Sequence, residues 1–346
     1  MRMSNESVSS YQHIAIIKLS SLGDIIHTLP AFHMLRHHYP EARISWLVEP
    51  AGARLLQNFI GIDEIITVNL KIQGFKHKCL ELRKILNNHR HQFDLILDFQ
   101  GLLKSAILAR LLKGRVLGFH RLNLREPLSR IFYSMKADIF DENQHVIFKN
   151  IHLLHLLGIS GPDIQYPLRT SGHSSRLASF LKAHSLEPGK FIILNIGGGW
   201  QSKLLDINQY IDIAEKLKAK YPMIILWGNE KERQLAERIS ESTGIPLSIY
   251  LDFDQLFDMI EQSALIITAD TLAMHAADMM NTPSVGLFGP TSPVRNGSLH
   301  DDSVAIHNQT DCSFCYRKKC DKMICLETIH IDKIERHVSK IYEKYN

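Results

Sequence analysis

HIAIIKLSSLGD, residues 13–24, decides the fold. Its first six residues are an apolar, isoleucine-rich run, too short for a typical helix and far too short for a membrane span. A serine pair, a glycine and an aspartate follow. Residues 25–38 then carry apolar side chains at helical spacing. A strand that is apolar at consecutive positions is covered on both faces, which places it inside a parallel sheet flanked by helices. The same succession recurs along the chain. Residues 43–48, 64–68, 94–98 and 116–119 read as strands, and residues 102–112 as a helix. Between about residues 158 and 175 the pattern lapses under Gly158, Gly161, Pro162, Pro167 and Gly172, as expected of a linker. It then restarts. Strands are expected over 191–196, 223–227, 265–268 and 284–288. Helices are expected over 208–220, 230–242, 271–280 and 331–345. The architecture implied is α/β: two Rossmann-like α/β/α domains, residues 1–165 and 166–346.

Composition agrees. A length of 346 residues suits two domains, and 45% hydrophobic with 22% charged residues excludes wholesale disorder. No apolar run approaches the ~18–20 residues that cross a bilayer. Residues 1–10 are polar and lack the apolar core of a secretory signal, so a cytoplasmic location is expected. Charge is unevenly spread. Residues 1–170 hold 21 Lys and Arg against 14 Asp and Glu, a net of +7; the remainder holds 19 against 22, a net of −3. A basic first half implies either an anionic partner or an ordinary solvated surface. Its basic stretches are residues 71–90 and 110–136. Sparse aromatic interleaving argues against a single-stranded nucleic-acid partner.

Open α/β sheets bind ligands at the carboxyl ends of their strands, so the loops there carry the chemistry. In the first, Ser20, Ser21 and Gly23 offer donors at a helix start. Asp24 either caps that helix or accepts a proton from a hydroxyl nucleophile. GGGWQSK, residues 197–203, follows a strand. Gly198 and Gly199 permit close backbone approach to a phosphate, and Lys203 adds a positive charge. It is neither a Walker A loop nor a GxGxxG fingerprint. In WGNE, residues 227–230, Glu230 either caps a helix or binds ribose hydroxyls. In ADTLAMH, residues 269–275, Asp270 and Thr271 open a helix and His275 lies one turn on. Four of the five cysteines, Cys312, Cys315, Cys320 and Cys325, crowd one tail segment; Cys79 stands apart. Four such thiols either bind a structural zinc tetrahedrally, pack reduced, or pair as disulfides on handling.

Taken together, these segments resemble the ADP-heptose:lipopolysaccharide heptosyltransferases. IAIIKLSSLGDIIHTLPAF is similar to their N-terminal motif and LILDFQGLLKSAILAR to their second. LREPLSRIFY resembles an acceptor-side segment of the heptosyltransferase I branch. GGGWQSK, WGNE, ADTLAMHAA and SVGLFGPTSP follow in the family's order, so the resemblance covers nearly the whole chain. It implies a GT-B fold and an inverting glycosyltransferase, with Asp24 as catalytic base. It also implies donor contacts at Ser21, Gly198, Gly199, Lys203, Glu230, Leu251, Asp270, Thr271 and His275. Acceptor contacts are implied at Arg125, with Lys104 as a further candidate. The donor would be ADP-heptose and the acceptor a Kdo- or heptose-bearing lipopolysaccharide core. Peripheral contact with the inner membrane would follow, with no nucleic acid. No metal or other cofactor is expected, because Lys203 and helix ends can stabilise the leaving diphosphate. The chain departs from the family's K-x-W-P at residues 203–206 and from its DTG at Leu272. The cysteine tail is found in part of the family, often on the heptosyltransferase II side. The alternatives are a same-fold transferase using another nucleotide sugar for a different surface glycan, or a non-catalytic nucleotide-sugar binder.

Overall fold

The computed structural model describes residues 11–69, 72–169 and 174–345. Residues 1–10, Lys71 in the basic stretch and Gly172 in the expected linker lie outside the described residues. The chain divides into two compact units, Met1–Arg169 and Thr170–Asn346.

The first unit is built on six parallel strands: β1 (His13–Ile17), β2 (Arg43–Val48), β3 (Glu64–Thr67), β4 (Leu95–Asp98), β5 (Arg115–Gly118) and β6 (Met135–Lys136). Their spatial order is β3-β2-β1-β4-β5-β6. Ile14, Ala15, Ile16 and Ile17 are wholly buried, as a central strand of a doubly covered sheet requires. The helix expected over 25–38 is in fact two, Leu22–Ile26 and Leu29–His38. Pro30 explains the break. It has no N–H, and its ring would clash with the carbonyl of Ile26 in a continuous helix. In the first turn of a new helix neither matters. The break leaves Asp24 on a short helix of its own, directly after β1.

Asp98, at the end of β4, is buried beneath this sheet's carboxyl edge. It accepts hydrogen bonds from Tyr133 Oη (2.8 Å), Ser105 Oγ (3.0 Å) and the amides of Gln100 (3.0 Å) and Gly101 (3.1 Å). Burial outweighs these bonds and pushes its carboxyl up to about 6. The folded chain therefore holds this proton more tightly than the unfolded chain. Its contribution to stability is full below about pH 4 and is lost as pH rises through about 6. Asp98→Asn should flatten that part of the profile, which melting temperatures between pH 4.5 and 7.5 will test; an unchanged slope would contradict it.

The second unit has five parallel strands: β7 (Ile192–Asn195), β8 (Met223–Leu226), β9 (Leu265–Ala269), β10 (Ser284–Phe288) and β11 (Val304–His307). Their order is β11-β10-β9-β7-β8. The final helix, Ile331–Tyr345, buries Ile334, Val338 and Ile341 in the core of this unit. A helix not expected from periodicity, Phe253–Glu261, starts on a reciprocal cap. Asp252 Oδ1 accepts from the Gln255 amide (2.9 Å), while Gln255 Oε1 accepts from the Asp252 amide (3.3 Å). Among the described residues no helix is long and apolar enough to cross a membrane.

Each sheet reverses its strand order once, between β1 and β4 in the first unit and between β7 and β9 in the second. The crevice outside the carboxyl ends of those strands is where open α/β sheets take ligands.

Candidate active site

The two loops at the first reversal are tied together. Gln100 Oε1, after β4, accepts from the amides of Leu19 (2.9 Å) and Ser20 (3.0 Å), after β1. Beneath them the buried Lys18 ammonium donates to Phe99 O at 3.0 Å. Burial lowers its pKa, while the charges of Asp24 and Asp98 oppose that shift. Asp24 itself is half-buried. Its Oδ2 accepts from the Ser21 amide (3.0 Å) and the Ser21 hydroxyl (2.8 Å). The capping role weighed from sequence is thus present, and both bonds fall on one oxygen. Oδ1 has no protein partner among the described residues. A fixed carboxylate with one acceptor oxygen uncommitted, at a sheet's reversal point, has the chemistry of a general base.

The second reversal brings Lys203, Asp270 and His275 into one network, with Thr271 next in the chain to Asp270. Lys203 Nζ donates to Asp270 Oδ2 (2.7 Å) and to Asp270 O (2.9 Å), and lies 4.5 Å from the centroid of the Trp200 ring. His275 Nε2 is 3.2 Å from Asp270 Oδ1, and Asn296 Nδ2 donates to Asp270 Oδ2 at 3.1 Å. Burial opposes ionisation of Asp270. His275 and Lys203 outweigh it and hold the carboxyl well below the usual carboxylate range. Asp270 thus orients a lysine, and buried His275 serves Asp270. Thr271 Oγ1 lies 3.2 Å from both Asn195 Nδ2 and Thr268 Oγ1.

Gly198 lies in a close-fitting place: a Cβ there would stand 2.9 Å from Leu204 Cδ2 and 3.0 Å from Thr271 Cγ2, so those side chains would have to give. A Cβ on Gly199 would meet nothing. At the departure from K-x-W-P, Asp206 and Gln209 cap the helix Ile207–Lys218 reciprocally, so that position acts in the fold.

Glu230 does not join this network. It is the first residue of the helix Glu230–Thr243, exposed and bound to Arg233, and the cap is Asn229. Two residues on, Glu232 turns back into the loops. Its carboxylate accepts from the amides of Gly198 (3.1 Å) and Gly228 (2.8 Å), bridging the loops after β7 and β8. Sequence reasoning passed over Glu232 and Asn296. An acid in the third position after an asparagine cap was the signal for the first; nothing in the sequence marked the second. Leu251 is half-buried, next to Tyr250, whose ring lies 6.0 Å from that of Trp227.

Of the acceptor-side candidates, Lys104 Nζ lies 3.5 Å from the buried carboxylate of Glu49, and Arg125 is exposed. All five cysteines are free thiols. Hydrogen bonds from the Met323 and Lys322 amides lower Cys320, and burial raises Cys325. Among the described residues no group of three or more His, Cys, Asp or Glu side chains is placed to hold a metal ion.

The motifs behind this geometry have a family. The model of glycosyltransferase family 9 (heptosyltransferase) matches residues 80–324, well over half of the chain. The chain belongs to glycosyltransferase family 9. It is a glycosyltransferase, and both of its parallel sheets fit the GT-B fold. This family 9 member is 26% identical over 342 residues to lipopolysaccharide heptosyltransferase 1 of Campylobacter coli, covering 95% of this chain and 98% of that one. Its fold matches the solved E. coli heptosyltransferase WaaC with ADP, with a TM-score of 0.75 at 21% identity, covering 95% of this chain and 100% of that one. It also matches the family 9 glycosyltransferase of Veillonella parvula, with a TM-score of 0.79 at 18% identity, covering 99% and 100%.

Proposed function

We propose that this glycosyltransferase moves a heptose from ADP-heptose to the inner core of lipopolysaccharide, with inversion and with Asp24 as general base. The observation that carries the reading is the Lys203–Asp270–His275 network at the reversal point of the second sheet. It is a fixed cation beside a glycine-rich loop, which suits a diphosphate. The relative from Campylobacter coli, named for lipopolysaccharide, and the ADP bound to WaaC support the same donor and acceptor classes.

In the reaction the acceptor oxygen attacks the anomeric carbon. Asp24 Oδ1 takes the hydroxyl proton as the new C–O bond forms. The bond from the anomeric carbon to the β-phosphate oxygen breaks, and ADP leaves with the bonding pair. Lys203, backbone amides of the 197–203 loop and the start of the helix Leu272–Met279 stabilise its charge. Glu232, rather than Glu230, is our candidate for the ribose hydroxyls, and Trp227, Tyr250 and Leu251 for the adenine face. Lys104 and Arg125 are assigned to the anionic acceptor, which would be met at the cytoplasmic face of the inner membrane.

Glu232→Gln should weaken ADP binding by about tenfold, the scale of a lost charge-assisted hydrogen bond. Glu230→Gln should leave it unchanged. Calorimetry on both variants checks the pair, and the reverse order would return the role to Glu230. The overall reading is tested by the anomeric configuration of the product linkage. A heptose joined with configuration opposite to the donor's is expected; retention would overturn the single displacement.

A further inference from the structure

We infer that residues 121–132 of the first unit form a docking surface for an anionic lipid bilayer, a role that rests on the lipid-linked acceptor proposed above. Two short 3₁₀ turns, Arg121–Asn123 and Pro127–Phe132, pack against each other, and the second packs on the helix Leu103–Leu111. A 3₁₀ helix repeats every three residues, so Leu128 and Ile131 stand one above the other on a single face. They are 67% and 70% exposed, and Leu122 in the neighbouring turn is 64% exposed. Ser129, on another face, is wholly buried.

Single exposed aliphatic residues are ordinary on protein surfaces. Here three fall within ten residues, on a backbone that is pinned. Asn123 Nδ2 donates to Phe140 O and Glu142 Oε1, both at 2.8 Å, and Asn123 Oδ1 accepts from the Phe140 amide at 2.8 Å. Glu126 Oε2 accepts from the Leu103 amide at 2.6 Å. Tyr133, just past the second turn, is anchored on buried Asp98. The frame therefore holds these side chains outward; they are not the slack of a loose loop.

Charge selects the occupant. Arg121 and Arg130 are exposed among the aliphatic side chains, and Arg125, assigned above to the acceptor, is exposed between them. Glu126 is the one acid between residues 121 and 136, and its carboxylate is engaged by the Leu103 amide. Guanidinium groups beside short branched aliphatics match phosphate headgroups over an acyl boundary. The same unit carries the Asp24 loop, so docking here would bring that loop to a lipid-borne acceptor.

The test is flotation of the full chain with vesicles of phosphatidylglycerol and phosphatidylethanolamine, against vesicles of phosphatidylcholine alone. Binding to the anionic vesicles only, weakened by salt, is expected. The double variant Leu128→Ser/Ile131→Ser should lose about tenfold of that binding, given how strongly interfacial affinity depends on buried apolar area. Arg121→Ser/Arg130→Ser should lose the preference for anionic vesicles. Transfer to a deacylated, soluble acceptor should be unchanged in the Leu128/Ile131 variant. Equal flotation of that variant and the parent would overturn the inference. So would loss of transfer to the soluble acceptor, which would assign the ridge to acceptor binding, or a dimer in solution that the substitutions dissolve. Flotation needs no turnover, so it decides the surface even if the proposed activity is not found.

Discussion

Asp24→Asn is expected to reduce turnover by at least ~10²-fold while leaving ADP affinity intact, the effect of removing a general base. Asparagine is the informative replacement. Its amide oxygen can still accept from the Ser21 amide and hydroxyl, so the loop keeps its cap and its position after β1. What disappears is basicity at the second oxygen. A fall in turnover with unchanged ADP binding separates lost proton transfer from a collapsed loop. A variant as active as the parent would return Asp24 to a capping role alone. The expected size follows from the environment. The carboxylate is half-buried and fixed, so it is a positioned acceptor, with the buried Lys18 ammonium in electrostatic contact behind it.

Asp270→Ala is expected to cost about 3 kcal/mol of stability, the scale of breaking a buried ion pair from one side. The substitution leaves the Lys203 ammonium, 14% exposed, without its carboxylate, and removes the shared partner of His275 and Asn296. Donor affinity should fall with it, because the lysine loses the group that fixes its direction. The pH dependence has a definite sign. The Asp270 carboxyl is held below the usual range, so its stabilisation is complete above the unfolded-state value near pH 4. Below that value it is lost progressively as pH falls toward the folded-state value. Urea unfolding at pH 7 and pH 4.5 would show nearly the same gap between variant and parent. A gap that vanishes by pH 4.5 would mean the pair does not hold Asp270 ionised.

Strands were legible because this fold buries them on both faces, so the apolar run is itself the strand; β1, β7 and β8 fall where runs of apolar residues occur. Edges were harder. β6 is two residues long, and its partly exposed Met135 and Lys136 carry no pattern to read. The broken helix before His38 was marked by Pro30, whose effect depends on whether it falls inside a helix or in its first turn. Side-chain direction was least legible. Glu230 and Glu232 share one helix turn, and only the course of the chain after β8 turns the second toward Gly198 and leaves the first with Arg233. Asn296 reaches Asp270 from a different crossover, 26 residues along, a proximity that no local pattern encodes.

Acceptor-dependent sugar transfer is read most directly as ADP release from ADP-heptose with and without a Kdo–lipid A acceptor. Release should require the acceptor and be lost in Asp24→Asn. Release that is indifferent to the acceptor, or equal in the variant, would contradict it.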